Sequence, residues 1–198
     1  MDEATPPAGS GKDYRPAARR ITVWAMVLIA AAYAAAWAWQ QPFMAKPRMA
    51  WTLARMPPPA TLTMPVREVE AARIADTFGD PRGADRSHEG VDIFAPRGAD
   101  VVSATPGIVT AVREGGLGGR QVWVMGPARE RHYYAHLDDW APGLAAGDVV
   151  WPGTLLGSVG DSGNARGTSP HLHYGIYAAD GAYDPLPLLL AAAVAETD

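Results

Sequence analysis

The chain has 198 residues, a formal charge of −4, five histidines and no cysteine. The acidic balance argues against nucleic acid as the main partner. Without cysteine there are no disulfides and no thiolate ligands, so any metal must be held by imidazole and carboxylate. Hydrophobic residues make up 48%, enough for one packed domain plus an accessory segment, and 21 glycines and 18 prolines point to a turn-rich, strand-rich domain.

Residues 1–20 are polar and rich in Pro, Gly and Ala, which predicts a disordered tail on the cytoplasmic side. Ile21–Trp39 holds no charged residue. As a helix it would be about 28 Å long, close to the ~30 Å hydrocarbon core of a bilayer. Arg19 and Arg20 precede it, and Trp37 and Trp39 close it. That order predicts a single-pass signal anchor in the inner (cytoplasmic) membrane, with the rest of the chain periplasmic or otherwise outside the cytoplasm. Two plainer readings compete: a signal peptide cleaved near Ala36-Trp37-Ala38, and a buried helix of the soluble domain.

Residues 40–75 carry six prolines between Pro42 and Pro65 and read as a semi-extended linker. A short helix fits Met49–Met56, and a helical turn or two fits Val66–Ala75. From Asp76 short apolar runs alternate with Gly, Pro and Asp turns. Val101–Ala104, Gly107–Val112, Gln121–Met125, His132–Leu137, Val149–Trp151, Leu155–Val159 and His171–Tyr177 read as strands. Glu114–Gly119 reads as a hairpin loop. The prediction is a mainly β, antiparallel domain over residues 76–187. A C-terminal tail follows over 188–198, and the stretch from Asp184 is able to close as a short helix.

All five histidines fall in that domain: His88, His132, His136, His171 and His173. In an extended strand, residues at even spacing share a face. His171 and His173 therefore point one way, Leu172 and Tyr174 the other. His88 and Asp92 have the same parity in a loop running into a strand, where Gly90 and the Ala95–Gly98 turn disfavour a helix. Two imidazoles and a carboxylate on one face suit a zinc ion with an open fourth position. Alternation also groups His132, Tyr134 and His136. His132, next to Arg129, Glu130 and Arg131, reads as structural or surface. Tyr134 either lines a groove or packs.

The ordered set H-x-x-x-D, Y-A-H-L and P-H-L-H, with D-T-F-G-D-P-R before it and G-D-V-V-W-P-G-T-L-L-G-S-V-G within it, resembles the lysostaphin/LytM-type zinc metallopeptidases (peptidase family M23). The resemblance covers residues 76–187. It implies a two-sheet domain of the barrel-sandwich hybrid type and one zinc ion held by His88, Asp92 and His173. His136 and His171 would be the catalytic histidines. It implies a metalloendopeptidase that hydrolyses peptide bonds in the stem peptides or cross-links of bacterial peptidoglycan. A second function class, a non-catalytic LytM-type module that binds the wall or activates a separate amidase, is disfavoured because no motif position has lost its functional group.

Overall fold

The computed structural model describes residues 15–70, 74–82 and 86–195. The chain divides between Ala45 and Lys46 into two compact units. The first contains helix α1 (Arg15–Trp39) and a 3-10 turn at Pro42–Met44. Trp24, Leu28, Tyr33 and Trp37 of α1 are exposed. Among the described residues no single helix is long and apolar enough to cross a membrane. The tail expected over residues 1–20 lies outside the described residues as far as Tyr14.

The second unit holds α2 (Ala45–Arg55) from its second residue on, nine strands and α3 (Leu186–Ala195). The strands are β1 (Val91–Phe94), β2 (Asp100–Val102), β3 (Gly107–Glu114), β4 (Arg120–Met125), β5 (Arg131–Trp140), β6 (Val149–Val150), β7 (Leu155–Val159), β8 (His171–Ala178) and β9 (Gly181–Tyr183). Every pairing between them is antiparallel. The Glu114–Gly119 glycines make the β3–β4 hairpin, with Gly115 N donating to Gly119 O.

The expected pair of sheets is instead one hydrogen-bonded network, in the order β1-β8-β5-β4-β3-β6, with β7 on β5, β2 on β7 and β9 on β8. The reason is the length of β5. Its first half, Arg131–Ala135, pairs with β8, and its second half, Leu137–Trp140, pairs with β7. Between the halves lies His136, a non-glycine residue at φ +63°. There β5 spends three residues against two of β4, from Val122↔Tyr134 to Arg120↔Leu137. Such a bulge bends a strand and re-aims its side chains. A bridge between Gly160 and His171 then joins the end of β7 to the start of β8.

The core lies behind β8 and β5. Val91, Ile93, Val122, Val124, Leu172 and Ile176 are fully buried in it. Each such side chain contributes about 1.5–3 kcal/mol on burial.

The stretch expected to be a linker is not free over its second half. Val102 N donates to Pro65 O and Thr63 N to Ala104 O, and Val66 pairs with Val101. Leu62 and Val66 belong to the core cluster. Proline removes donors but leaves the residues between free to pair, and here two apolar side chains anchor the segment. The helical turns expected over Val66–Ala75 are absent from the described residues there, and 71–73 lie outside them. The C-terminal stretch forms α3, whose first turn is met by the Asp184 carboxylate, and Leu189 is buried in the core.

Candidate metal centre

β1 and β8 lie side by side in a register that sets Asp92 directly opposite His173. Paired residues on adjacent strands present their side chains on the same face. Leu172 and Tyr174 go to the core, and His171 and His173 to a groove of about 880 Å³. His88 enters from the segment just ahead of β1. Its Nε2 lies 2.8 Å from His173 Nδ1 and 3.0 Å from Asp92 Oδ1, and His173 Nδ1 lies 3.2 Å from the same Oδ1. Gly90 allows this approach. A methyl there would press on the carbonyl of Tyr174 and come within 2.9 Å of His173 Cε1.

These three residues form a group whose ligand atoms all lie within 4.8 Å of one another. The donor chemistry fits zinc. Bonds of ~2.0–2.1 Å at the tetrahedral angle place ligand atoms roughly 3.3 Å apart, a few tenths wider than two of the separations found.

The tautomers agree. A carbonyl only accepts, so His88 Nδ1, 2.7 Å from Thr77 O, carries the proton and leaves Nε2 as a lone pair facing the group. Burial pushes the Asp92 carboxyl up. The neighbouring His173, His88 and Arg82 outweigh it and hold the group well below the usual carboxylate range. Burial pushes His173 down. A neutral imidazole beside a carboxylate anion is the state a metal ligand requires.

His136 and His171 sit next to this group. Their ring centroids are 5.0 Å apart, and His136 lies 5.9 Å from His173. Each holds its Nδ1 proton on a backbone carbonyl, His136 on Ser162 O at 2.9 Å and His171 on Ser169 O at 2.8 Å. Each therefore keeps Nε2 available as an acceptor. Burial, the main cause, pushes His136 down to about 4, so it is neutral at physiological pH.

Alternation alone misplaces His136. His132 and Tyr134 face the core, both with no exposed surface. The bulge turns His136 to the opposite side, where Tyr133 and Ala135 also line the groove. The groove reading of Tyr134 is thus corrected to Tyr133, whose ring stands edge-on to His173 at 5.7 Å. His132 is structural, as expected, with Nδ1 2.8 Å from the Tyr174 hydroxyl.

Two further residues lie at the centre, both inside the D-T-F-G-D-P-R stretch ahead of the first ligand, where the sequence assigned neither a role. Arg82 Nη2 donates to Asp92 Oδ2 at 2.5 Å. Thr77 receives the His88 proton and, through its Oγ1, the Asp92 backbone N–H at 3.3 Å.

Known proteins resemble this chain in sequence and in fold. The L-Ala–D-Glu endopeptidase of Bacillus subtilis is 40% identical over 139 residues, covering 65% of this chain and 42% of that protein. The chain therefore spans about two fifths of the length of that curated relative. The catalytic domain of lysostaphin from Staphylococcus simulans superposes with a TM-score of 0.53 at 28% identity, covering 59% of this chain and 91% of that one. Helicobacter pylori Csd3 superposes with a TM-score of 0.53 at 30% identity, covering 65% and 34%. The sequence profile of Peptidase family M23 matches residues 86–185, a span holding His88, Asp92, His136, His171 and His173, and on that match the chain belongs to peptidase family M23.

Proposed function

We propose that the domain is a zinc-dependent metalloendopeptidase that hydrolyses peptide bonds in peptidoglycan stem peptides or cross-links. One observation carries this reading. Two imidazole nitrogens and a carboxylate oxygen converge in one groove beside two further histidines whose Nε2 atoms remain uncommitted. His88, Asp92 and His173 would hold the ion, which, when bound, supplies Lewis acidity toward a substrate carbonyl and toward water. The other roles fall to the chain's own groups. Neutral His136 accepts a proton at Nε2 while Ser162 O fixes its ring. His171, held by Ser169 O, is close enough to share the hydrogen bonding of a developing oxyanion. The open groove admits an extended peptide along β1, β8 and β5.

The name of the Bacillus subtilis relative supports a stem peptide as the first substrate to try. The exposed apolar side chains of α1, which passes as a span by length and composition only together with the helical stretch after it, support a single-pass membrane anchor, which would hold the domain on the outer side of the inner membrane. The test is digestion of purified sacculi by the full chain in detergent with zinc, alongside His171→Ala. New muropeptides from the first and none from the second are expected. Wall binding without cleavage by the zinc-loaded wild type would return the reading to a non-catalytic wall-binding module.

A further inference from the structure

We propose that Arg82 is a positioning residue that fixes Asp92 as a one-oxygen ligand and so keeps the fourth position of the metal centre open. The inference rests on the proposed zinc reading. Asp92 is buried, with its side chain 7% exposed, and its two oxygens have different partners. Oδ1 faces His88 and His173 at 3.0 and 3.2 Å. Oδ2 accepts Arg82 Nη2 at 2.5 Å. The same nitrogen lies 2.9 Å from His88 Nδ1, but that ring nitrogen already directs its proton to Thr77 O, so the guanidinium donor belongs to the carboxylate.

The arm that carries Arg82 is fastened to the segment that carries His88. Arg82 N donates to Arg86 O, Pro81 pairs with Ser87, His88 N donates to Asp80 O and Gly79 N to His88 O. One short ladder therefore delivers both the first ligand and the clamp on the second. A carboxylate with both oxygens free is able to chelate through both, which raises the coordination number and fills the position a water needs. With Oδ2 committed to a charge-assisted bond, only Oδ1 remains.

Charge alone predicts the opposite effect on binding. A guanidinium repels a divalent cation, so if Arg82 were only a nearby charge, removing it would tighten the metal. If it positions Asp92, removing it loosens the metal.

The experiment measures zinc affinity of the full chain in detergent by competition with a chromophoric chelator, for wild type, Arg82→Met and Arg82→Lys. It is paired with visible spectra of the cobalt(II)-loaded proteins. Arg82→Met is expected to lose about 10–100-fold in affinity and to show the weaker cobalt bands of a higher coordination number. Arg82→Lys keeps the charge but not the fork geometry, and is expected to lose affinity severalfold. Affinity unchanged or tightened in Arg82→Met, or a wild-type cobalt spectrum, overturns the proposal. If near-UV circular dichroism shows that the Met variant has not folded, the Lys variant decides by the same criteria. A wild-type chain that takes up neither ion overturns the metal reading itself, and this proposal with it.

Discussion

Strands β5 and β8 carry two clusters of buried polar side chains, one on each face, and the clusters do opposite things with their hydrogen bonds. On the groove face, His136 and His171, joined by His88 from the segment ahead of β1, each give one ring proton to a backbone carbonyl, which leaves the other nitrogen pointing at a common space. On the core face, His132, Tyr174 and Tyr134 turn toward one another and toward Ala104 N, with nothing left for solvent. His132 Nε2 is buried and has no hydrogen-bond partner among the described residues. The same residue types on the same two strands thus form a reactive site on one side and a stiffening network on the other. What separates them is whether the uncommitted polar atom of a side chain opens into the groove or stays closed inside the core. A variant that changes metal binding and turnover without stability belongs to the groove face, and one that changes stability alone belongs to the core face.

The largest expected effect is on the groove face. Asp92→Ala removes the carboxylate that touches His88, His173 and Arg82 together. It should abolish stoichiometric zinc uptake and with it muropeptide release, while near-UV circular dichroism stays as in the wild type. A variant that keeps one tightly bound zinc would show that the three donors do not form the centre.

The next effect separates the ligands from their neighbours. His136→Ala and His171→Ala should each lower turnover about 10²–10⁴-fold, the range usual for a positioned acid or base, with zinc affinity within a fewfold of wild type. Equal loss of zinc and turnover in either variant would move that histidine into the ligand set.

Much of this division could be read before the fold was known, and the exceptions have physical causes. His171 and His173 sit in an unbroken strand, so alternation sends both to the groove and Leu172 and Tyr174 to the core. His136 follows a bulge, and a one-residue offset reverses the face of everything after it. Only the Y-A-H-L resemblance, not the parity of the strand, identified it. Arg82 and Thr77 stand in the D-T-F-G-D-P-R stretch, but their roles come from contacts made when the segment ahead of β1 folds back along His88, which no spacing encodes. Leu62 and Val66 were hidden by the surrounding prolines, which describe chain stiffness but not whether an apolar side chain finds a core.

On the core face the effect appears as a pH dependence of stability. Burial pushes His132 down to about 3, against an ordinary value near 6.5. Between those two values the unfolded chain binds a proton that the folded chain refuses. Stability is therefore full above pH 6.5 and falls as pH drops toward 3, by about 1.4 kcal/mol per unit at most. His132→Gln keeps a polar group beside the Tyr174 hydroxyl but does not titrate. Denaturant titrations at pH 7.5 and pH 5 should show a smaller acid loss for His132→Gln than for the wild type, with metal affinity at pH 7.5 unchanged. Equal acid losses would mean that the imidazole is not held neutral.

The smallest effect tests whether the core network is worth more than the space it fills. Tyr134 has no exposed surface, and its hydroxyl accepts the Ala104 backbone N–H at 3.0 Å. Burial, the main cause, raises that hydroxyl to about 12, so it stays protonated and works as a hydrogen-bonding group. Tyr134→Phe keeps the ring but strands the Ala104 donor, which lies beside β2 and also anchors Thr63 through its carbonyl. An unsatisfied buried amide costs about 1–3 kcal/mol, so the denaturation midpoint should fall with no change in the slope. Zinc affinity and turnover should not move, because Tyr133, not Tyr134, is the ring that meets His173. A Tyr134→Phe variant with normal stability and altered turnover would break the division between the faces, since it would show that the core network reports to the groove through β5.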